Sequence, residues 1–284
     1  MIRRMALVII VSLVFIIGIF SICKMRLADA NKEAAEKNQQ MESELDDFKN
    51  KNIENILYTD DVFSIRKLTK DTYVYTAYGE FNGQKYPANG LILVGNSGLI
   101  LIDTPWDDKK TRDLLAILKN TFHKNVSDAI VTHFHNDRVG GIKALQEEDI
   151  SVHSTPLTDM LAVSDGYAHS LGDLSNNDFL TIDGRTLEIY YPGKGHTEDN
   201  ITIYDKKDKL LFAGCFSKNN SDKTLGNIAD ADIPEWLKSI NKLQEKYTEE
   251  QINWVIPGHG NLGGYDLLDH TKSLVEEQLK EHSK

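Results

Sequence analysis

The strongest constraint on this 284-residue chain is where its candidate donor side chains stand: each follows a short apolar run that reads as a β-strand. His133 and His135, in His133-Phe134-His135-Asn136-Asp137, follow Ala129-Ile130-Val131-Thr132. His196 follows 187–191 through Pro192-Gly193-Lys194-Gly195, Cys215 follows Leu210-Leu211-Phe212-Ala213, and His259 follows Val255-Ile256-Pro257-Gly258. Rigid strands that deliver polar side chains from one edge are the scaffold a geometrically exact site requires.

The rest of the chain supplies such a scaffold. Short β-rich runs at 62–68, 72–78, 90–94 and 99–102 are joined by Gly- and Asn-containing turns, and 78–87 reads as a hairpin with Phe81-Asn82-Gly83 at its tip. Helix 107–121, strand 128–132, helix 141–148 and strand 150–153 then alternate. Strands at 186–191, 201–204 and 209–213 follow, and helix 233–247, strand 252–256 and helix 265–281 close the chain. Hairpins on both sides of intervening helices predict an α/β fold: two mixed sheets face to face, flanked by helices in a four-layer αββα sandwich.

Composition narrows the partners. The formal net charge of −11 argues against nucleic acid as the main partner, because a phosphate-binding surface needs a basic excess. No period of 20 to 50 residues recurs, so a repeat architecture is excluded.

The N-terminus stands apart. Arg3 and Arg4 precede an uncharged run over 5–23, long enough for an apolar helix that crosses a membrane. Residues 1–26 read as a signal-anchor or a signal peptide; Ala28-Asp29-Ala30 has the form of a cleavage site, and lipid attachment at Cys23 is a third reading disfavoured by Ile22. All three place the remainder outside the cytoplasm, in the periplasm or on the outer face of the membrane. Residues 27–58 are polar, lack Gly and Pro, and read as a helical linker; the catalytic domain is expected over 59–284.

The six donors His133, His135, Asp137, His196, Cys215 and His259 suffice for two zinc ions in one hydrolytic site. Zinc takes imidazole, thiolate and carboxylate, and three histidines leave it electrophilic enough to bring the pKa of a bound water to about 7. A lone thiol is more often an inert small hydrophobe, but the only other cysteine, Cys23, lies in the apolar run, so Cys215 has no disulfide partner inside the domain. The other five histidines, 123, 153, 169, 270 and 282, lack the post-strand glycine context and read as structural or exposed.

The run from His133 to Gly141 resembles the metal motif of the metallo-β-lactamases, class B, subclass 1. Gly195-His196-Thr197-Glu198-Asp199-Asn200, Gly214-Cys215-Phe216-Ser217-Lys218 and Pro257-Gly258-His259-Gly260 resemble the remaining motifs in the same order, and Leu101-Ile102-Asp103-Thr104-Pro105-Trp106 matches the segment before the first helix. The wider superfamily commonly has a second His after the motif's Asp and a bridging Asp later; this chain has Arg138 and Cys215, and both departures point to the lactamase subclass.

The resemblance implies that His133, His135 and His196 bind one zinc and that Asp137, Cys215 and His259 bind the second. It implies that Lys218 holds the substrate carboxylate, that Asn227 positions the lactam carbonyl and belongs with Asp137 to the catalytic set, and that Asp103 and Arg138 lie beneath the metals. The expected activity is hydrolysis of the β-lactam amide of penicillins, cephalosporins and carbapenems by a zinc-bound hydroxide, conferring antibiotic resistance. The expected partners are a small-molecule β-lactam, no nucleic acid, and the membrane if the N-terminal segment is uncleaved, with a monomeric catalytic domain. A lactonase or thioesterase of the same superfold is the first alternative, and a non-catalytic, membrane-tethered zinc-binding protein the second.

Overall fold

The computed structural model describes residues 55–81 and 83–282. The apolar run, the linker up to residue 54 and Asn82 of the hairpin tip lie outside the described residues. Among the described residues no helix is long and apolar enough to cross a membrane.

The first sheet contains β1 (Ile56–Thr59), β2 (Phe63–Lys67), β3 (Thr72–Phe81), β4 (Gln84–Val94), β5 (Leu99–Ile102), β6 (Val126–Ile130) and β7 (Ser151–His153), paired in that order. Strands β1 to β5 form antiparallel neighbours, whereas β5, β6 and β7 run parallel. Parallel pairs need crossovers, and α1 (Asp108–Phe122) connects the first of them. Between β6 and β7 come two short helices, α2 (Asn136–Val139) and α3 (Ile142–Gln146); α4 (Pro156–Ser164) follows β7.

The second sheet contains β8 (Asp178–Ile182), β9 (Arg185–Tyr190), β10 (Thr202–Asp205), β11 (Leu210–Gly214) and β12 (Trp254–Pro257), in the order β12-β11-β10-β9-β8. Only β11 and β12 are parallel, joined through α5 (Ile233–Lys246) and a 3-10 turn at Glu249–Gln251; α6 (Asp266–His282) ends the described chain.

Period-two alternation sorts the apolar side chains into layers. In β5, Ile100 and Ile102 face inward and join Leu91, Leu93, Leu187, Ile189, Ile203 and Phe212 between the sheets. Leu99 and Leu101 face outward and pack with Leu114 and Leu118 of α1 and Leu145 of α3. Leu211 and Val255 of the second sheet pack outward on Trp236, Ile240 and Leu243 of α5 and Leu268 and Val275 of α6. This is the four-layer arrangement the alternation predicted. Each fully buried Leu or Ile contributes about 1.5–3 kcal/mol, so Ile102→Ala would cost about 2–5 kcal/mol with its cavity term.

Helix starts follow local chemistry. Asp107 accepts from Lys110 N at 2.7 Å to cap α1, and Asp232 caps α5 through Glu235 N at 3.1 Å. At the end of α1, His123 takes a left-handed conformation at φ 53°, which accounts for one of the histidines read as structural.

Several boundaries differ from expectation. Strand β1 starts at Ile56, inside the stretch assigned to the linker. Strand β4 starts at Gln84 rather than residue 90, since its first half is the exposed, Pro87-containing arm of the hairpin and lacks an apolar signature. Strand β8 was not foreseen because it is an edge strand with mostly exposed residues. Helix α4 was missed although Thr155-Pro156 is a start signal: Thr155 Oγ1 accepts from Thr158 N at 3.0 Å. The single helix expected over 141–148 is α3, with the separate turn α2 placed directly on the metal motif.

Candidate metal centre

All six donors converge at the end of the sandwich where β6, β11 and β12 finish. Gly258 N donates to Gly214 O at 2.7 Å, which holds the β12 loop carrying His259 against the end of β11 carrying Cys215. Asn89 N, from the first sheet, donates to Gly258 O at 2.8 Å, and Ile201 N donates to Thr132 O at 3.0 Å. Backbone bonds between the sheets therefore fix the donors from both. Gly258 must lack a side chain, because a Cβ there would stand 2.5 Å from the Cys215 sulfur.

The three imidazoles His133, His135 and His196 pack edge to face, with centroids 5.0, 5.1 and 4.9 Å apart. His135 Nδ1 lies 3.1 Å from His196 Nε2. His133 Nε2 is buried with no hydrogen-bond partner. Burial, reinforced by neighbouring cationic groups, holds the pKa of His133 and of His196 well below the ordinary histidine value, so both rings are neutral and offer lone pairs.

Beside them lies a second set. His259 Nε2 is 3.2 Å from the Cys215 sulfur and 3.3 Å from Asp137 Oδ2, which is 3.8 Å from the same sulfur. His259 Nδ1 donates to Pro87 O at 2.6 Å, which fixes the tautomer and turns the Nε2 lone pair toward the sulfur and carboxylate. Burial lowers the His259 pKa to about 4. Three overlapping groups of potential metal ligands result: His133, His135 and Asp137; His133, His196 and Cys215; and Asp137, Cys215 and His259.

These residues fit a metal. Neutral imidazoles with close, unsatisfied nitrogens and a buried thiol facing a carboxylate are costly to hold together without a cation between them. Without one, burial pushes the Cys215 thiol up to about 12. The nitrogen, sulfur and carboxylate donors are those that zinc prefers.

Arg138 lies beneath the centre, fully buried. Its Nη2 is 2.8 Å from Asp137 Oδ2, and it donates to the Cys215 sulfur at 3.0 Å and to Gly258 O at 2.9 Å; Nη1 donates to Asn89 O at 2.6 Å and reaches Asp103 Oδ2 at 3.3 Å. Burial would raise the Asp137 pKa, but Arg138, ahead of His259, outweighs it and keeps the carboxyl well below the usual range. Asp103, also buried, accepts from Thr132 N at 2.8 Å, adopts φ 64°, and is pushed up to about 7 by burial. A left-handed backbone at a non-glycine residue costs of order 1 kcal/mol. Here it turns Asp103 under the motif. Neither Asp103 nor Arg138 belongs to any of the three ligand groups.

A cavity of about 530 Å³ opens over the donors. Phe81, Tyr86 and Trp106 line one side; Lys218, Asn227 and Asp230 also line it. Tyr86 stands 4.9 Å from the His259 ring. Lys218 is 8% exposed, its ammonium lies 5.5 Å over the Trp236 ring, and it makes no ion pair among the described residues. Burial lowers its pKa, which marks a cation short of counter-charge. Asn227 is exposed, lines the cavity, and its Oδ1 accepts from Ala229 N at 3.2 Å.

The family model of the metallo-β-lactamase superfamily matches residues 84–259. The chain belongs to that family. It is 45% identical over 213 residues to "Metallo-beta-lactamase type 2" of Bacillus cereus, covering 75% of this chain and 82% of that protein. To the protein of the same name from Bacteroides fragilis it is 34% identical over 227 residues, covering 80% and 90%. The solved structure of a metallo-β-lactamase from Pontibacter korlensis superposes with a TM-score of 0.73 at 35% identity, covering 76% of this chain and all of that one.

Within this metallo-β-lactamase fold, one contact escaped the sequence reading. His135 Nε2 lies 3.0 Å from Asp230 Oδ2, which fixes the ring with Nδ1 turned toward His196. Asp230 belongs to the loop that carries Asn227, 95 residues from His135, and the stretch Ile228-Ala229-Asp230-Ala231-Asp232 has no pattern that would single it out. Tyr86 and Trp106 were likewise not assigned to the cavity. Their proximity arises from the β3–β4 hairpin and the β5–α1 turn, which only the sheet order brings together.

Proposed function

We propose that this chain hydrolyses the amide bond of β-lactam antibiotics with two zinc ions, and so confers resistance to penicillins, cephalosporins and carbapenems. The observation that carries the reading is the convergence of six potential metal ligands, four of which line one cavity together with a buried Lys218 that makes no ion pair among the described residues. His133, His135 and His196 would hold one ion, and Asp137, Cys215 and His259 the other. Zinc in such a site makes water acidic enough to ionise near neutral pH and acts as a Lewis acid toward a carbonyl.

The chain's own residues do the rest. Lys218 binds the carboxylate of the substrate as a desolvated point charge, so the lactam ring is oriented before reaction. The Asn227 amide donates to the carbonyl oxygen, where negative charge develops. Arg138 keeps Asp137 ionised, and the Asp230 and Pro87 acceptors hold the His135 and His259 tautomers. Phe81, Tyr86 and Trp106 shield one side of the ring from water. No side chain is required to form a covalent bond with the substrate.

The uncharged run at 5–23 supports a place of action outside the cytoplasm, where drugs against the cell wall are met. Mass spectrometry of the mature N-terminus distinguishes cleavage, lipidation and retention. Activity is tested by offering the zinc-loaded chain a chromogenic cephalosporin, a lactone and a thioester side by side. The cephalosporin is expected to be the preferred substrate; turnover of the lactone or thioester alone would overturn the reading.

A further inference from the structure

A second and larger cavity, of about 700 Å³, lies on the outer face of the second sheet, away from the metal donors. It reaches the turn that leads into β11, whose opposite end carries Cys215. Helices α5 and α6 cover the outward residues of β10, β11 and β12, whereas on β8 and β9 the outward residues Phe179, Thr181 and Thr186 are exposed. The last two residues before the 3-10 turn's cap, Lys246 and Tyr247, wall the groove where that cover ends.

Its floor is a row across three strands. Phe179 pairs with Glu188, and Glu188 pairs with Tyr204. At a strand spacing of about 4.8 Å the row spans roughly 10 Å. Phe179 is 63% exposed at the open end, and Tyr204 lies under Tyr247 at the closed end, ring centroids 4.7 Å apart. The Tyr247 hydroxyl is buried beside Glu188.

Of the charged side chains that line the groove, only the exposed Lys206 has no ion pair among the described residues. Lys246 pairs with Glu188 at 2.7 Å, Lys207 with Asp71 at 2.8 Å, and Arg185 with Asp205 and Asp208. An anionic ligand would find only the exposed Lys206 free and would have to compete with these carboxylates for the other cations, and a purely apolar one would have to desolvate the ion pairs without replacing their hydrogen bonds with water. A neutral ligand with both C–H faces and hydroxyl groups meets neither cost. Exposed aromatic rings beside polar side chains suit such a molecule.

We propose that this groove binds a neutral saccharide, with the C–H face of a pyranose on the Phe179 ring and its hydroxyls hydrogen-bonded to Glu188 and Lys246. The site is independent of the metal centre and of the lactamase reading. The test is calorimetric titration of the full chain with the β-1,4-linked tetrasaccharides of N-acetylglucosamine and of glucose. At least one is expected to bind with a dissociation constant of about 1 mM or tighter. Phe179→Ala, at an exposed position, and Thr186→Arg, which fills the groove from its exposed floor, should each weaken binding at least ~10-fold while zinc content and cephalosporin turnover stay unchanged. Absence of binding of both sugars at about 10 mM, or binding that both variants retain, would overturn the proposal. So would a concentration-dependent dimer that Phe179→Ala dissociates in a chain that binds neither sugar, because the groove would then be an interface between copies.

Discussion

Arg138 donates to the Cys215 sulfur at 3.0 Å, so a buried cation stands beneath the one thiol of the metal centre. The same guanidinium contacts Asp137 and Asp103. Removing it leaves two buried carboxyl groups without their cation, a change that typically costs about 3–5 kcal/mol. Arg138→Ala should therefore lower the urea midpoint of the metal-free chain sharply. An unchanged midpoint would show that the carboxyls do not depend on it.

Cys215→Ser replaces a soft donor by a hard one in the Asp137, Cys215 and His259 group. Zinc content is expected to fall from about two per chain toward one, with the three-histidine group still loaded. Retention of two would remove Cys215 from the ligand set.

Asp230→Ala leaves the His135 Nε2 without its acceptor while keeping all six donors in the sequence. Losing such a partner usually weakens metal affinity about 10- to 100-fold, and competition with a chromophoric chelator measures it directly. Zinc affinity equal to that of the parent chain would show that His135 is held by packing alone.

Lys218→Ala should raise KM for carboxylate-bearing lactams by about 10- to 100-fold, the range for a charge-assisted hydrogen bond, with a smaller change in kcat. A comparable effect on a lactam ester, which lacks the charge, would argue against the anchor.

Asp199 provides a pH test at a carboxyl that is not itself one of the six donors. Its carboxylate oxygens are buried, and burial, offset only in part by the Thr197 and Thr158 hydroxyls beside it, raises its pKa from 3.8 to about 6. The folded chain then binds this proton more tightly than the unfolded chain. Its contribution is fully present below about pH 4 and is lost as pH rises through 6, a difference of about 3 kcal/mol at most. Asp199→Asn, which stays neutral, should flatten the loss of stability between pH 4 and 6 in the metal-free chain; an unaltered slope would assign it to other groups.

The sandwich was legible because its core strands alternate: Ile100 and Ile102 against Leu99 and Leu101 settle two layers at once. The convergence of the six candidate donors was legible because each follows such a strand; their division between two ions comes from the resemblance alone. The edges were not. Strands β1 and β8 are held mainly by backbone bonds to a neighbour, so their exposed residues carry little burial pattern. Asp230 and the aromatic wall of the cavity escaped for a different reason. Loops join them to the site across long sequence separations, and nothing local encodes a contact such as that between His135 and Asp230.

The measurement that tests the central claim most directly is hydrolysis of a cephalosporin and a carbapenem by the purified chain, before and after chelation, with zinc quantified in each sample. The predicted result is turnover that chelation abolishes and zinc restores, reaching its maximum near two zinc per chain. A folded, zinc-loaded chain that hydrolyses neither lactam would contradict it.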